Sequence, residues 1–262
     1  MAKAVALTIA GSDPSGGAGI QADLKTFHQF GVYGEAAITL LTVQNTKRVD
    51  RVEMVSPELV LEQLKAVIED IPPMAAKTGA LGTREMIVAI AGAAREWSFP
   101  LVVDPVMLSK QGAQLLSPDA VEAFVRLLLP RADLVTPNLP EASALAGMAV
   151  TDLADMKAAA RKLVDAGARG VLIKGGHLAG SAIDILYLAG EWHEFESARI
   201  DTPHTHGTGC TYSAAITAEL AKGRKLVEAV AQAKRFITEA IRTNPGLGRG
   251  SGPVNHHADF SL

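Results

Sequence analysis

Several short segments of this 262-residue chain carry residue types able to do chemistry. The sharpest is His206-Gly207-Thr208-Gly209-Cys210-Thr211, which runs into a helix-forming stretch, Thr211–Lys222. A glycine turn at a helix N-terminus offers amide hydrogens that have no partner inside the helix, at the positive end of the helix dipole. That is a place for an anion such as a phosphoryl group. Cys210 falls in the first turn, where the same field should lower its pKa and favour thiolate. The plain alternative is a glycine turn with a small buried cysteine behind it.

The second glycine-rich segment is Gly11-Ser12-Asp13-Pro14-Ser15-Gly16-Gly17-Ala18-Gly19. Glycines let backbone approach a ligand closely. Asp13 stands where a dinucleotide fingerprint needs glycine, and Gly17-Ala18 replace the Lys-Ser/Thr of a P-loop. A binding loop or a flexible turn with a helix cap both fit, and two acids, Asp13 and Asp23, favour binding.

Four more places lie just after apolar runs. Asp104 follows Leu101-Val102-Val103 and precedes Pro105, as a strand-end acid or a turn initiator. Asn138-Leu139-Pro140-Glu141 is first of all a capping box, with asparagine at N-cap and glutamate at N3. The same pair could organise Mg²⁺ and phosphate. Lys174-Gly175-Gly176-His177 puts a lysine where it could hold phosphate as a point charge, or stand solvated at a turn. Gln44, before Asn45-Thr46, offers a donor and an acceptor together, which matches an aminopyrimidine edge. Alone it would read as a polar strand end. His204, His206 and Cys210 lack the wider pattern of a metal site, and no Gly-x-Ser-x-Gly nucleophile elbow is present.

The elements that must position these residues alternate. Strand-like runs fall at Val5–Ala10, Glu35–Val43, Arg51–Val55, Ala75–Thr78, Leu101–Asp104, Asp133–Thr136, Val171–Lys174, Ile183–Leu188 and Trp192–Glu196. Helical patterns cover Gly19–Phe30, Pro57–Asp70, Arg84–Trp97, Pro118–Leu129, Leu139–Ala146, Asp152–Ala166, Thr211–Lys222 and Leu226–Arg242. Near-continuous apolar strands alternating with helices mean a mostly parallel sheet covered on both faces, an α/β/α sandwich. One domain over 1–262 is the simplest account, as no repeat or linker is evident. Ligands in such sheets bind beyond the carboxyl ends of the strands, where these residues fall.

Hydrophobic residues at 48% against 20% charged allow a full core and exclude a disordered chain. A net charge of −3 and 5% aromatics argue against a nucleic-acid binder. One cysteine excludes an intramolecular disulfide and fits a reducing, cytoplasmic setting. The run Ala4–Ala10 behind Lys3 is short for a leader and enters Gly11 directly, so it reads as a first strand. No apolar stretch approaches the roughly 18 residues of a membrane span.

Together these segments resemble the ribokinase superfamily of small-molecule kinases, and within it the hydroxymethylpyrimidine/phosphomethylpyrimidine kinases of thiamine biosynthesis. The likeness runs from Ala10–Asp23 through Thr42–Thr46, Lys77–Gly79, Asp104–Met107, Thr136–Glu141, Lys174–His177 and His206–Thr211 to Gly250–His256. It implies a ribokinase-like α/β/α sandwich, commonly dimeric. It also implies phosphorylation by ATP, with Mg²⁺, of 4-amino-5-hydroxymethyl-2-methylpyrimidine and then of its monophosphate. Gln44 would bind the ring, with Gly11, Ala18, Asp23 and Val106 lining the pocket. Asn138 and Glu141 would form the Asn-x-x-Glu element for nucleotide and metal, with Asp104 at the metal. Lys174 and Thr208 would contact ATP phosphates, and Gly207, Gly209 and the Cys210 amide would form the anion hole. Most of the superfamily has aspartate as general base where this chain has Cys210, a departure shared by the pyrimidine kinases and some pyridoxal kinases. Ala80 stands where relatives often have methionine. Competing expectations are a pyridoxal kinase, a catalytically silent pyrimidine-binding regulator and a hydrolase with Cys210 as nucleophile.

Overall fold

Short runs of Val, Leu, Ile and Ala can satisfy their backbones and bury both faces only in a covered sheet. The computed structural model describes residues 3–176 and 180–259. Its strands are β1 (Val5–Ser12), β2 (Tyr33–Gln44), β3 (Val49–Met54), β4 (Ala75–Thr78), β5 (Leu101–Val103), β6 (Leu134–Val135), β7 (Gly170–Ile173), β8 (Ala182–Leu188) and β9 (Glu191–Ser197). They form one sheet in the order β3-β2-β1-β4-β5-β6-β7-β8-β9. Pairings from β2 to β7 are parallel, while β3, β8 and β9 join antiparallel at the edges. The sheet is therefore mixed, with a parallel centre.

The helices are α1 (Gly19–Gln29), α2 (Pro57–Asp70), α3 (Arg84–Ala93), α4 (Ala120–Ala123), α5 (Leu139–Ala146), α6 (Leu153–Asp165), α7 (Thr208–Ala221) and α8 (Leu226–Arg242). Strand alternation divides the core in two. Leu7, Ile9, Ala76, Leu101, Val103, Val171 and Ile173 face α2–α6. Ala6, Ala75, Val102 and Leu172 face α1, α7 and α8, with Phe27, Ile216 and Phe236. The result is the expected three-layer α/β/α sandwich.

Differences from the sequence pattern have local causes. The stretch expected as one helix over 118–129 is α4, a π turn over Phe124–Leu128 and a 3₁₀ turn over Leu129–Arg131. Pro130 supplies no N–H, and the widened turn brings both Leu128 and Leu129 fully into the core. α3 ends at Ala93 instead of Trp97, and Trp97 stacks on Phe99 with ring centroids 5.3 Å apart. β1 runs two residues past Ala10, its register shifting between Ala10 and Ser12, so the glycine loop begins as a bulged strand end.

The parallel centre aligns the carboxyl ends of β1, β4, β5, β6 and β7 on one side. The loops leaving those ends, together with the α7 N-terminus, build the site.

Candidate active site

A cavity of about 680 Å³ opens over this carboxyl edge. Among its walls are Gly11, Ala18, Gln44, Asp104, Val106, Asn138, Glu141, Lys174, Gly207, Thr208, Gly209 and Cys210. Segments separated by up to two hundred residues thus meet in one space, and one member of the expected set is missing from its walls. Asp23 is fully buried below, where its Oδ1 accepts from Lys77 Nζ at 2.8 Å and its Oδ2 from Thr8 Oγ1 at 2.6 Å. α1 turns this residue onto the sheet, so the expectation that it lines the pocket is corrected. His177 lies outside the described residues.

The α7 N-terminus supplies the anion hole geometry. Gly207 is the N-cap residue at φ +78°, and no side chain caps the helix. The Thr208 amide donates within the turn to the Thr205 carbonyl at 3.3 Å, and the helical amides that follow it are left to whatever occupies the cavity. A Cβ on Gly207 would sit 1.8 Å from the Gly17 carbonyl oxygen, so only glycine allows the two loops to touch. Thr208 Oγ1 donates to the Thr205 carbonyl at 2.8 Å, which fixes the turn.

Asp13 ties the first loop to this turn. Its Oδ1 accepts from the Ser15 amide at 2.8 Å and the Ser15 hydroxyl at 2.7 Å. Its Oδ2 accepts from the amides of Gly17 and Ala18 and pairs with His206 Nε2 at 2.7 Å. Burial alone would raise this carboxyl, but hydrogen bonds from His206, Ser15 and Gln44 outweigh it and hold Asp13 well below the usual range. The His206 backbone is clasped by the C-terminal segment: its amide donates to Gly252 and its carbonyl accepts from Val254. Sequence reasoning missed this hub. The signal was an aspartate two residues before serine, the pattern of an Asx-turn.

Lys174, at the end of β7, reaches across to Asp104 Oδ1 at 3.0 Å. Asp104 also accepts from Thr136 Oγ1 at 3.1 Å and Ser213 Oγ at 3.4 Å. Burial would lower the Lys174 pKa, but Asp104 and Glu141 more than offset it, and the ammonium stays charged. A Cβ on Gly209 would lie 3.3 Å from that ammonium, so glycine keeps the path from helix amides to lysine open.

Asn138 and Glu141 make the full capping box. Asn138 Oδ1 accepts from the Glu141 amide at 2.9 Å, and Glu141 Oε2 accepts from the Asn138 amide at 2.8 Å. The cap holds the Glu141 carboxyl in the cavity wall. Burial, partly offset by Lys174 and reinforced by Asp104, pushes it up to about 7. For a divalent cation the donor chemistry fits, because a hard carboxylate shares the cavity with a lysine and an uncapped helix terminus. Glu141 would hold the ion, and bound Mg²⁺ would neutralise phosphate charge. Asp104 is taken up instead as the partner of Lys174, because its oxygens already accept from an ammonium and two hydroxyls.

The thiolate expectation for Cys210 is overturned. Burial pushes the thiol up to about 12 from its ordinary 9.0, against a lowering by Lys77 and the Gly19 amide. Asp23 and Asp104 add to the rise. Desolvation exceeds the helix dipole here.

Gln44 ends β2 in the cavity wall, where its side chain bonds Asp13, and Leu40 and Ala80 line the same space. The Val106 amide donates to the Asp104 carbonyl at 2.9 Å, and Val106 packs in the wall against Leu40, Ala80 and Leu115. Among the described residues no helix is long and apolar enough to cross a membrane.

Known proteins share this arrangement. A family model described as phosphomethylpyrimidine kinase matches residues 13–255. The thiamine biosynthesis bifunctional protein ThiED of Geobacter sulfurreducens is 52% identical over 252 residues, 95% of this chain. This chain spans 51% of that longer protein. The hydroxymethylpyrimidine/phosphomethylpyrimidine kinase of Haemophilus influenzae is 48% identical over 96% of both chains. Among solved structures, the ADP complex of Bacillus subtilis pyridoxal kinase matches with a TM-score of 0.90, at 42% identity and 98% coverage of each chain. The matched stretch begins at Asp13 and ends beyond the segment that clasps His206, so it takes in the anion hole and every wall from there on. This chain belongs to the phosphomethylpyrimidine kinase family.

Proposed function

We propose that this chain transfers the γ-phosphoryl group of ATP to 4-amino-5-hydroxymethyl-2-methylpyrimidine, and then a second to the monophosphate. The observation that carries this reading is the meeting of two features in one cavity. An uncapped helix N-terminus, a charged lysine and a side-chain amide line the same space. The first pair suits phosphate, and the amide suits an aminopyrimidine edge.

Lys174, Thr208 and Asn138 bind the nucleotide, Glu141 holds Mg²⁺, and Gly207, Gly209 and the Cys210 amide stabilise charge on the transferred group. Gln44, Gly11, Ala18 and Val106 hold the ring. The bond from the hydroxymethyl oxygen to the γ-phosphorus forms as the bond to the β–γ bridging oxygen breaks. That electron pair leaves with ADP, and the hydroxyl proton passes to the sulfur of Cys210 in its ionised form. The thiol, pushed up to about 12, is protonated at rest, so the base is its small ionised fraction, and a loose transition state that leaves proton transfer late asks little of it. Two further expectations belong to this reading. A cytoplasmic setting follows from the substrate and the lone cysteine. A homodimer finds support in Leu41 and Val43 on β2 and Met54 on β3, which are 48%, 55% and 43% exposed.

The likeness to pyridoxal kinase favours one alternative, with the same transfer onto pyridoxal. Purified protein with ATP and Mg²⁺ is offered each substrate separately and products are read by mass. Mono- and diphosphate from the pyrimidine support the proposal. Phosphate on pyridoxal alone overturns it in favour of the alternative, and silence on both reopens a regulatory role.

A further inference from the structure

Beneath the cavity floor lies an ion pair that the chemistry above does not use. Lys77 on β4 and Asp23 on α1 are both 0% exposed and meet at 2.8 Å. Lys77 follows Ala75 by two residues, so it points to the face of the sheet that α1 and α7 cover. Two charges taken out of water in such surroundings cost several kcal/mol each, and a well-packed apolar pair is often as stable or more so. Stability alone gives no reason for a lysine here.

Its position does. A Cβ on Gly79 would lie 4.0 Å from Lys77 Nζ, and Gly79, Ala10 and Cys210 are walls of the cavity. The ammonium therefore stands directly under the floor. Thr8 Oγ1 and Lys77 Nζ each engage one Asp23 oxygen, so the carboxylate holds the lysine in place. Cys210 feels Lys77 and Asp23 from below, Asp104 from beyond β5, Lys174 from β7 and the Gly19 amide from α1.

We propose that Lys77 is a positioning residue for the transfer: held by Asp23, it supplies from below the positive charge that favours ionisation of Cys210, the form able to take the substrate proton. The assignment of Cys210 rests on the function proposed above. The charge relation does not, because it can be read without substrate.

Cys210 is the chain's single cysteine, so iodoacetamide reports on it alone. The rate of alkylation is followed from pH 7 to 11 in the full chain, with folding checked by circular dichroism. Lys77→Met removes the positive charge and shifts the profile to higher pH, with a rate at least about tenfold lower at a fixed pH below the midpoint. Asp23→Asn leaves Lys77 unmasked and shifts the profile the other way. Lys77→Arg keeps the charge and stays near the parent. Should Lys77→Met fail to fold, the double variant Lys77→Met/Asp23→Met removes both charges together and falls between Asp23→Asn and the expected Lys77→Met profile. Damage to packing alone would move both single variants in the same direction. That result, or no movement in either, overturns the proposal. In turnover, kcat of Lys77→Met falls with the substrate KM within about twofold. If neither pyrimidine nor pyridoxal is phosphorylated but the opposed shifts appear, the proposed function has failed and the charge relation stands.

Discussion

Asp13 and His206, 193 residues apart in sequence, meet at 2.7 Å and join the glycine loop after β1 to the turn before α7. Hydrogen bonds from Ser15, Gly17, Ala18, Gln44 and His206 converge on that one carboxylate, which is 3% exposed. The two loops that would close around a phosphoryl group and its acceptor are thus one mechanical unit.

Asp13→Asn tests the unit. Asparagine removes the charge that the loop amides and His206 serve, and a hydrogen bond to a charged group is worth about 1.5–3 kcal/mol. The Asp13 pKa is depressed in the fold, so its contribution to stability is present above the unfolded value and is lost as pH falls through the folded one. The gap in unfolding free energy between parent and variant, measured in urea, is expected to be full at pH 7. It should narrow below pH 4. A gap constant down to pH 3 would remove the charge from the account.

Glu141→Gln separates the two roles of the capping box. Glutamine can still accept from the Asn138 amide, so α5 should persist by circular dichroism. A neutral amide holds Mg²⁺ poorly, and the Mg²⁺ concentration for half-maximal rate should rise about tenfold or more. The pKa gives a second handle. Burial raises Glu141 to about 7, so protons compete with the cation in the neutral range. Apparent Mg²⁺ affinity should climb between pH 6 and 8 in the parent and stay flat in the variant. An unchanged Mg²⁺ requirement would return Glu141 to the cap alone.

What the sequence disclosed here and what it hid have different physical origins. Strand alternation and capping are local, so α2 behind Ser56 and α5 behind Asn138 could be read to the residue. Convergence on the carboxyl edge follows from parallel order, so Gln44, Asp104, Lys174 and Cys210 could be named before their meeting was seen. Burial depth is not local. The thiol of Cys210 and the inward turn of Asp23 depend on Lys77, a residue whose lysine type suggests solvent. The break in the helix behind Ser117 depends on where Leu128 and Leu129 find core, which no window of sequence contains.

Glu35 stores instability far from the site. It is 8% exposed on β2, its Oε2 finds no hydrogen-bond partner among the described residues, and Asp70 adds like charge. Burial, then Asp70, push it up to about 7. A raised pKa means the favourable state is the neutral one. Its stability is full below the unfolded value near 4.3 and is lost as pH rises through about 7. Glu35→Gln should therefore stabilise at pH 8 and matter much less at pH 5. Screening by nearby water reduces the gain to about 1 kcal/mol, a rise in Tm of roughly 2–4 °C for a chain of this size. A gain equal at both pH values would show a packing effect instead.

Gly207→Ala and Gly223→Ala distinguish backbone strain from loop contact. Both glycines hold left-handed φ, +78° and +82°, so alanine costs each about 1–2 kcal/mol. A Cβ at Gly223 meets nothing within 4 Å, while at Gly207 it would collide with the Gly17 carbonyl at 1.8 Å. Backbone cannot yield there without separating the glycine loop from α7. That would carry Asp13 away from His206 and turn the first helical amides off the cavity. Gly223→Ala should lower Tm by a few degrees and leave kcat/KM as it was. Gly207→Ala should lose about a hundredfold or more in kcat/KM, the scale seen when an oxyanion donor is misplaced. Equal losses of activity in the two variants would mean that the contact between the loops does not set the anion hole.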